Sequence, residues 1–391
     1  MMDTAAELRA VLRTLLARQC ESAAVRAAAA SPSGYDRGLW TRLCGEIGVA
    51  GLTVPEKYGG AGAGLAEMQV ALEELGRVLA PSPLLGSAVV AAQALLLAGD
   101  AEACERLLPD IATGERIATL AWTGPAGEWS PDEPAFRATA AGEMPLHSAE
   151  TEELAPRATE PDQFAVRATE VGVLDGEAHY VLDGDHADIL LAVAQAPDGI
   201  RLYELDVTAP GVDRTATPAL DVTRRLAQVA LRGARGRRIG DHFPLDRLRD
   251  IACVALSAEQ AGAAARALEL TVAYVKERVQ FGQPIGGFQA LQHRLADLHV
   301  LVESARSASY AAADALAAGT AATVLAAVAK VYCSETLQQV AAEMIQLHGG
   351  IGITWEHDAH LYFKRAHGAA HLFGSPQSHL ARLEATATGL R

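Results

Sequence analysis

Three segments in the second half of the chain, Ile251 to Arg278, Gln289 to Ala318 and Ala321 to His348, carry apolar residues three and four positions apart. The breaks between them hold Gly and Pro. At 1.5 Å per residue each runs to roughly 40 Å as a helix, long enough to span a bundle, and the spacing suits antiparallel helices packed at shallow angles. Residues 241–391 are therefore expected to form a four-helix-bundle-like domain.

Ahead of that domain the pattern changes twice. Residues 1–116 are rich in Ala, Leu, Glu and Arg with helical spacing, as in Leu8, Val11, Leu12, Leu15 and Leu16, and predict a helical domain. Its one interruption, Val54-Pro55-Glu56-Lys57-Tyr58-Gly59-Gly60-Ala61-Gly62-Ala63-Gly64, cannot continue a helix. It has neither a Walker lysine nor a preceding strand, so it reads as a loop joining two helices. Residues 117–240 hold short β-prone runs, Phe164-Ala-Val-Arg-Ala-Thr, Gly172-Val-Leu, His179-Tyr-Val-Leu and Ile189-Leu-Leu-Ala-Val-Ala, and predict a small β domain. The stretch between Pro131 and Pro161, rich in Glu, Ala and Thr, reads as a loop-rich insert. The fold class is α+β, multidomain and mainly α, with the β domain between two helical ones.

Composition narrows the function. A net charge of −15 disfavours nucleic acid, whose phosphates require clustered Lys and Arg. The basic run Arg232 to Arg238 goes against that trend and reads as a solvated loop or subunit contact. No apolar run reaches a membrane span, and Met1-Met2-Asp3-Thr4 lacks the order of a secretory signal, so the cytoplasm is the expected compartment. The five cysteines are scattered without a Cys-x-x-Cys pair, which predicts reduced core thiols and no metal site.

Glu277-Arg278-Val279-Gln280-Phe281-Gly282-Gln283-Pro284-Ile285, the pair Phe288-Gln289, and Gln346-Leu347-His348-Gly349-Gly350-Ile351-Gly352 stand in fixed order. Upstream come Trp40 to Gly48, Val54 to Gly60, Glu73-Glu-Leu-Gly76 and Leu108-Pro109 with Gly114-Glu115. Nearly the whole chain resembles the acyl-CoA dehydrogenase family in these landmarks. The resemblance implies that Arg278, Phe281, Gln289, Gln346, Gly349 and Gly350 hold the adenosine and pyrophosphate of a flavin adenine dinucleotide (FAD) bound mainly by a neighbouring subunit. The chemistry agrees: a guanidinium forks onto phosphate oxygens, and a Gly-Gly turn lets backbone N–H groups approach an anion. His348 requires no role beyond packing or capping.

The family's reaction removes a proton α to a thioester while hydride leaves the β carbon for the flavin, so it needs a carboxylate aimed at the α carbon. The position where the family usually carries that glutamate is Gly374, within Phe373-Gly374-Ser375-Pro376. The alternative position used by some members is Ala252, followed by Cys253 where many carry an arginine towards coenzyme A; Arg249 lies one turn earlier. Of the nearest acids, Asp250 is displaced by about 200° round the helix and Glu259 lies about two turns on. Asp250 reads as a charge near a helix N-terminus. In the β region, Thr123-Gly-Pro-Ala-Gly-Glu-Trp129-Ser130 keeps only the threonine of the family's flavin loop. Tyr180-Val181-Leu182 stands where a Trp-Ile-Thr-like strand covers the flavin ring, and leucine donates no hydrogen bond.

The losses fall on what this chain would need for its own flavin ring and thioester, while what it would lend to a neighbour is kept. The expected function is a subunit that contributes flavin contacts to a complex dehydrogenating an acyl-CoA thioester, itself without the catalytic base. The resemblance implies a homologous catalytic partner, an α2β2 heterotetramer, an electron-transfer protein as acceptor, and steroid or other lipid degradation as the setting. Two alternatives stay open at this point. One is a competent homo-oligomeric dehydrogenase with its base relocated to Asp250 or Glu259; the other is a flavin-free scaffold of the same fold.

Overall fold

The computed structural model describes residues 4–124, 129, 134–140, 171–320 and 322–388. Six helices open the chain: α1 (Thr4–Gln19), α2 (Ser22–Ala30), α3 (Arg37–Arg42), α4 (Leu65–Arg77), α5 (Ala92–Ala98) and α6 (Ala101–Thr113). A π-helical stretch, Leu84–Ala91, runs straight into α5. Local chemistry sets several of these ends. The carboxylates of Asp36 and Asp100 each accept a backbone N–H, from Leu39 and Ala103, at 3.0 Å, and so cap α3 and α6.

The middle domain is a sheet of seven strands: β1 (Ala118–Ala121), β2 (Phe136–Ala140), β3 (Val171–Leu182), β4 (Ile189–Ala196), β5 (Gly199–Leu205), β6 (Val212–Ala216) and β7 (Leu226–Ile239). Pairings β4–β2, β2–β3, β3–β7, β7–β5 and β5–β4 close into a ring, while β1 is added beside β4 and β6 beside β7. Closure leaves the five ring strands without a free edge and encloses a core that includes Phe136, Leu174, Leu190, Tyr203 and Leu231. The ladder between β3 and β7 slips between Ala178 and Val181, placing Tyr180 in a bulge.

Two sequence expectations change here. The basic run Arg232 to Arg238 is not a loop; it forms the second half of β7, and Arg232, Arg237 and Arg238 pair with Asp213, Glu102 and Asp198. Alternation on a strand sends its guanidiniums outward while Ala234 and Gly236 stay buried, a pattern that polar composition concealed. The stretch taken for a loop-rich insert contains β2, with Arg137-Ala138-Thr139 in its centre; the run beginning at Phe164 lies outside the described residues.

The C-terminal domain packs α7 (Leu245–Glu277), α8 (Gln289–Ala318) and α9 (Ala322–His348) with α10 (Ala359–His371) and α11 (Pro376–Thr388); a short hairpin, β8 (Val279–Gln280) and β9 (Gln283–Pro284), links α7 to α8. Residues round the whole girth of α7 are buried from Leu248 to Ala264, which makes it the central helix of the molecule. It meets α4 backbone to backbone. A Cβ on Gly76 would lie 2.1 Å from the Glu259 carbonyl oxygen, and one on Gly262 would lie 2.0 Å from that of Glu73, so the crossing requires glycine on both helices. Among the described residues, no helix is long and apolar enough to cross a membrane.

Candidate functional site

A cleft lies where the end of β3, the residues after β1, the π-helical stretch and the loop between α10 and α11 converge. Thr119 of β1 donates its hydroxyl to the Leu182 carbonyl at 2.5 Å, and the Ala118 N–H donates to Ser87 at 2.9 Å, so the strand ends and the helix are held together. Aromatic rings fill the space between them. Trp122 and Trp129 stand edge to face at 5.1 Å between centroids; Phe373 lies 5.8 Å from the first and 5.1 Å from the second. A residual cavity of about 10 Å³ remains, room for at most one water. A second void of about 30 Å³ lies on the other side of Gly86 and Leu182.

No carboxylate reaches into this cleft from the two expected positions. Gly374 has φ +105, and a Cβ there would sit 2.8 Å from His379 Nε2. His379 is buried and donates Nε2–H to the Phe373 carbonyl at 2.9 Å; burial pushes its pKa down to about 3, so the ring is neutral. Ala252 is fully buried. Grafting the acid back is therefore expected to fail: Gly374→Glu should lose roughly 1–3 kcal/mol of stability from its left-handed backbone and from displacing His379, without gaining dehydrogenase activity. Denaturant unfolding and an acceptor-reduction assay check this, and wild-type stability in the variant would contradict it.

The nearby acids are occupied elsewhere. Asp250 is no simple helix-end charge: it is buried, and accepts from Arg382 at 3.1 Å and from the Thr323 hydroxyl at 2.6 Å, because α9 and α11 pack over it. Glu259 accepts from both Arg224 and Arg365. Arg365 also donates Nε–H to Asp221 at 2.6 Å and Nη2–H to the Thr223 hydroxyl at 2.6 Å, which ties the β domain to α7 and α10. Arg249 donates to Asp246 at 2.6 Å, and the Cys253 thiol lies 3.7 Å from the Phe373 carbonyl oxygen.

Asp183, at φ +56 in the turn after β3, is the exception. It is buried, with its nearest ion partner, His186 Nε2, 3.9 Å away, and burial raises its pKa from 3.8 to about 6 despite His186 and Arg224. The folded chain thus binds this proton more tightly than the unfolded one, and the associated stability is lost as pH rises from about 4 through 6. Asp183→Asn, neutral and at ease in a left-handed turn, is expected to stabilise the protein by roughly 2–3 kcal/mol at pH 8 and hardly at all at pH 4. Thermal unfolding at both pH values tests this; an equal gain at both would contradict it.

The other predicted residues gather at the opposite end of α7. Tyr274 stacks on His348 at 4.3 Å and donates its hydroxyl to the His348 carbonyl at 3.3 Å, joining the ends of α7 and α9. His348 itself is buried and donates Nδ1–H to Met344 at 2.7 Å, a packing and capping role. Arg278 caps α7 and is exposed, and among the described residues its side chain has no ion pair or hydrogen bond. Gln346, in the last turn of α9, Gly349 at φ +62, and Gly350 are exposed beside it. A Cβ on either glycine would meet nothing within 4 Å, so this turn is open to a ligand or another chain. Phe281 is 91% exposed at the tip of the β8–β9 hairpin, and Gln289 is the exposed first residue of α8. Val279, Ile353 and Trp355 add exposed apolar surface to this end.

Two domain models match the chain: the acyl-CoA dehydrogenase N-terminal domain over residues 2–115 and the C-terminal domain over residues 250–387. The acyl-CoA dehydrogenase IpdE2 of Mycolicibacterium smegmatis is 40% identical over 97% of both chains. The chain belongs to the acyl-CoA dehydrogenase family. The IpdE2 of Mycobacterium tuberculosis is 41% identical over 96% of this chain and 95% of its own length. Among solved structures, a variant of the Tcur3481–Tcur3483 steroid ACAD superposes with a TM-score of 0.84 at 32% identity, over 98% of each chain. The ChsE4–ChsE5 complex from Mycobacterium tuberculosis gives 0.86 at 27% identity, over 100% and 99%. Members of this FAD-dependent family are oxidoreductases acting on the CH–CH bond of acyl-CoA thioesters. Sequence reasoning missed the aromatic filling of the cleft, although the signal was there: of the four tryptophans in the chain, Trp122 immediately precedes the altered flavin loop and Trp129 lies within it.

Proposed function

We propose that this chain is the non-catalytic subunit of a heteromeric acyl-CoA dehydrogenase, assembled in the cytoplasm with a homologous catalytic partner as an α2β2 complex. The observation that carries the reading is a contrast between two ends of the molecule. Its own cleft is filled by three rings and offered no free carboxylate from positions 252, 259 or 374, whereas Arg278 is exposed beside an open Gly-Gly turn and has no ion pair or hydrogen bond to its side chain among the described residues. A flavin ring does not fit the filled cleft. The residues at the far end suit the polar half of an FAD seated in the partner: Arg278 for the pyrophosphate, Gln289 and Gln346 as amide donors, Gly349 and Gly350 for backbone approach, and Phe281 for apolar cover. Bound there, FAD supplies the hydride acceptor for α,β-dehydrogenation, and the partner supplies the base.

The similarity to a steroid ACAD named for two components and to the ChsE4–ChsE5 complex supports both the unlike partner and a steroid-derived or other lipid thioester as substrate. An electron-transfer protein is the expected acceptor. The base is tested without any acceptor. Incubated with an acyl-CoA in deuterated buffer, the purified chain is expected to exchange no α proton above the buffer rate; exchange by this chain alone would favour a relocated base and overturn the reading.

A further inference from the structure

A groove of about 420 Å³ lies away from the cleft, on the seam where α1 and α2 meet α4, α7 and α10. Packed interiors leave few voids larger than a water, whereas ligand pockets hold ~300–1,000 Å³. Arg266 marks its position on α7, 14 residues after Ala252 and 12 before Arg278. That is roughly 20 Å of helix from both the filled cleft and the flavin-binding end. The floor is apolar: Leu16, Val25, Leu79 and Leu361 line it and are each at most 4% exposed. Leu79, just after α4, holds φ +50, which a leucine keeps only where its packing fixes it.

The rim is cationic. Arg13, Arg77 and Arg266 line it, Arg13 bonding Glu74 at 2.7 Å while Arg77 and Arg266 share Glu269 at 2.7 and 3.1 Å. Arg9 joins the same network through Glu73 and Glu74, and Arg306 joins through Glu73. Five guanidiniums thus share three carboxylates, in a chain whose net charge is −15. The two other acids of the lining do not cancel that excess. Asp358 is held by Arg26 at 2.8 Å, and Glu21, exposed at the start of α2, is one charge against two. Arg266 is 41% exposed and, among the described residues, donates only Nη1–H, to Glu269, so its Nε and Nη2 donors are open to a further acceptor.

We propose that this groove binds a small amphipathic carboxylate, with its apolar body on the leucine floor and its head group at Arg266. The site is separate from the flavin contacts and does not depend on the subunit reading.

The test titrates the full-length chain calorimetrically with octanoate and with octanol, which has the same chain length without the charge. Octanoate is expected to bind at least about tenfold more tightly than octanol. Arg266→Ala should weaken octanoate about tenfold and leave octanol unchanged. Ala17 is exposed on the groove wall, and Ala17→Trp, which puts an indole into the space, should abolish binding of both. If that variant does not fold, Ala17→Phe is read in the same way. Three results each overturn the proposal: no saturable octanoate binding, equal affinity for octanoate and octanol, or octanoate binding unchanged in a folded Ala17 variant. The flavin content of the complex tests the subunit reading separately.

Discussion

Arg365→Ala is expected to cost roughly 3–5 kcal/mol of stability, because it strips a buried ion cluster of its central cation. The Arg365 side chain is 5% exposed and spends four polar contacts on three partners: Nε on Asp221, Nη1 on Glu259, and Nη2 on both the hydroxyl and the carbonyl of Thr223. Among the described residues, removing it leaves Asp221 without an ion pair and Glu259 with Arg224 alone. Lysine is not expected to rescue the variant, since a single ammonium cannot span donors held in a planar fork. Methionine, with similar volume and no charge, should be as damaging as alanine because both carboxylates stay behind. Urea unfolding of the three variants checks this. A loss below about 1 kcal/mol in Arg365→Ala would show that the cluster is not what joins the β domain to the bundle.

Arg278→Ala is expected to act on binding and leave the fold alone. Its side chain is exposed and makes no hydrogen bond or ion pair among the described residues, so stability should change by no more than about 0.5 kcal/mol. In the complex, loss of a charge-assisted contact to phosphate should weaken FAD by about 1.5–3 kcal/mol, roughly 10- to 100-fold in Kd. Arg278→Lys should recover part of that, since it keeps the charge and loses the fork. Flavin absorbance per protein after gel filtration, at low and raised salt, reads the effect. Unchanged occupancy in Arg278→Ala would remove this residue from the flavin site.

The architecture was legible wherever periodicity was long. The expected helix Gln289 to Ala318 matches α8 end to end, and Ala321 to His348 matches α9 to within one residue, because glycine breaks at Gly319 and Gly349 mark their limits. The helix expected to begin at Ile251 starts six residues earlier, at Leu245, where alternating charges in Asp246-Arg247-Leu248-Arg249-Asp250 hid the apolar face. Strand runs were found in pieces: Gly172-Val-Leu and His179-Tyr-Val-Leu are two parts of β3, divided by Asp175-Gly176-Glu177-Ala178, where the ladder shifts register between Leu174 and Gly176. At the site, sequence can report a missing side chain, as at Gly374 and Ala252. It cannot report what moves into the space. The contact of Trp122 and Trp129 with Phe373, about 250 positions away, and the convergence of Arg224 and Arg365 on Glu259, are long-range events with no local signature.

The central claim is that this chain lends flavin contacts and completes no active site of its own. It is tested most directly by purifying the chain alone and together with a homologous catalytic subunit, then comparing molecular mass and flavin absorbance. The account predicts a colourless protein when the chain is alone, and an assembly of unlike chains carrying one flavin for each unlike pair. A yellow preparation of this chain by itself, reducing a ferrocenium-type acceptor with any acyl-CoA, would contradict it.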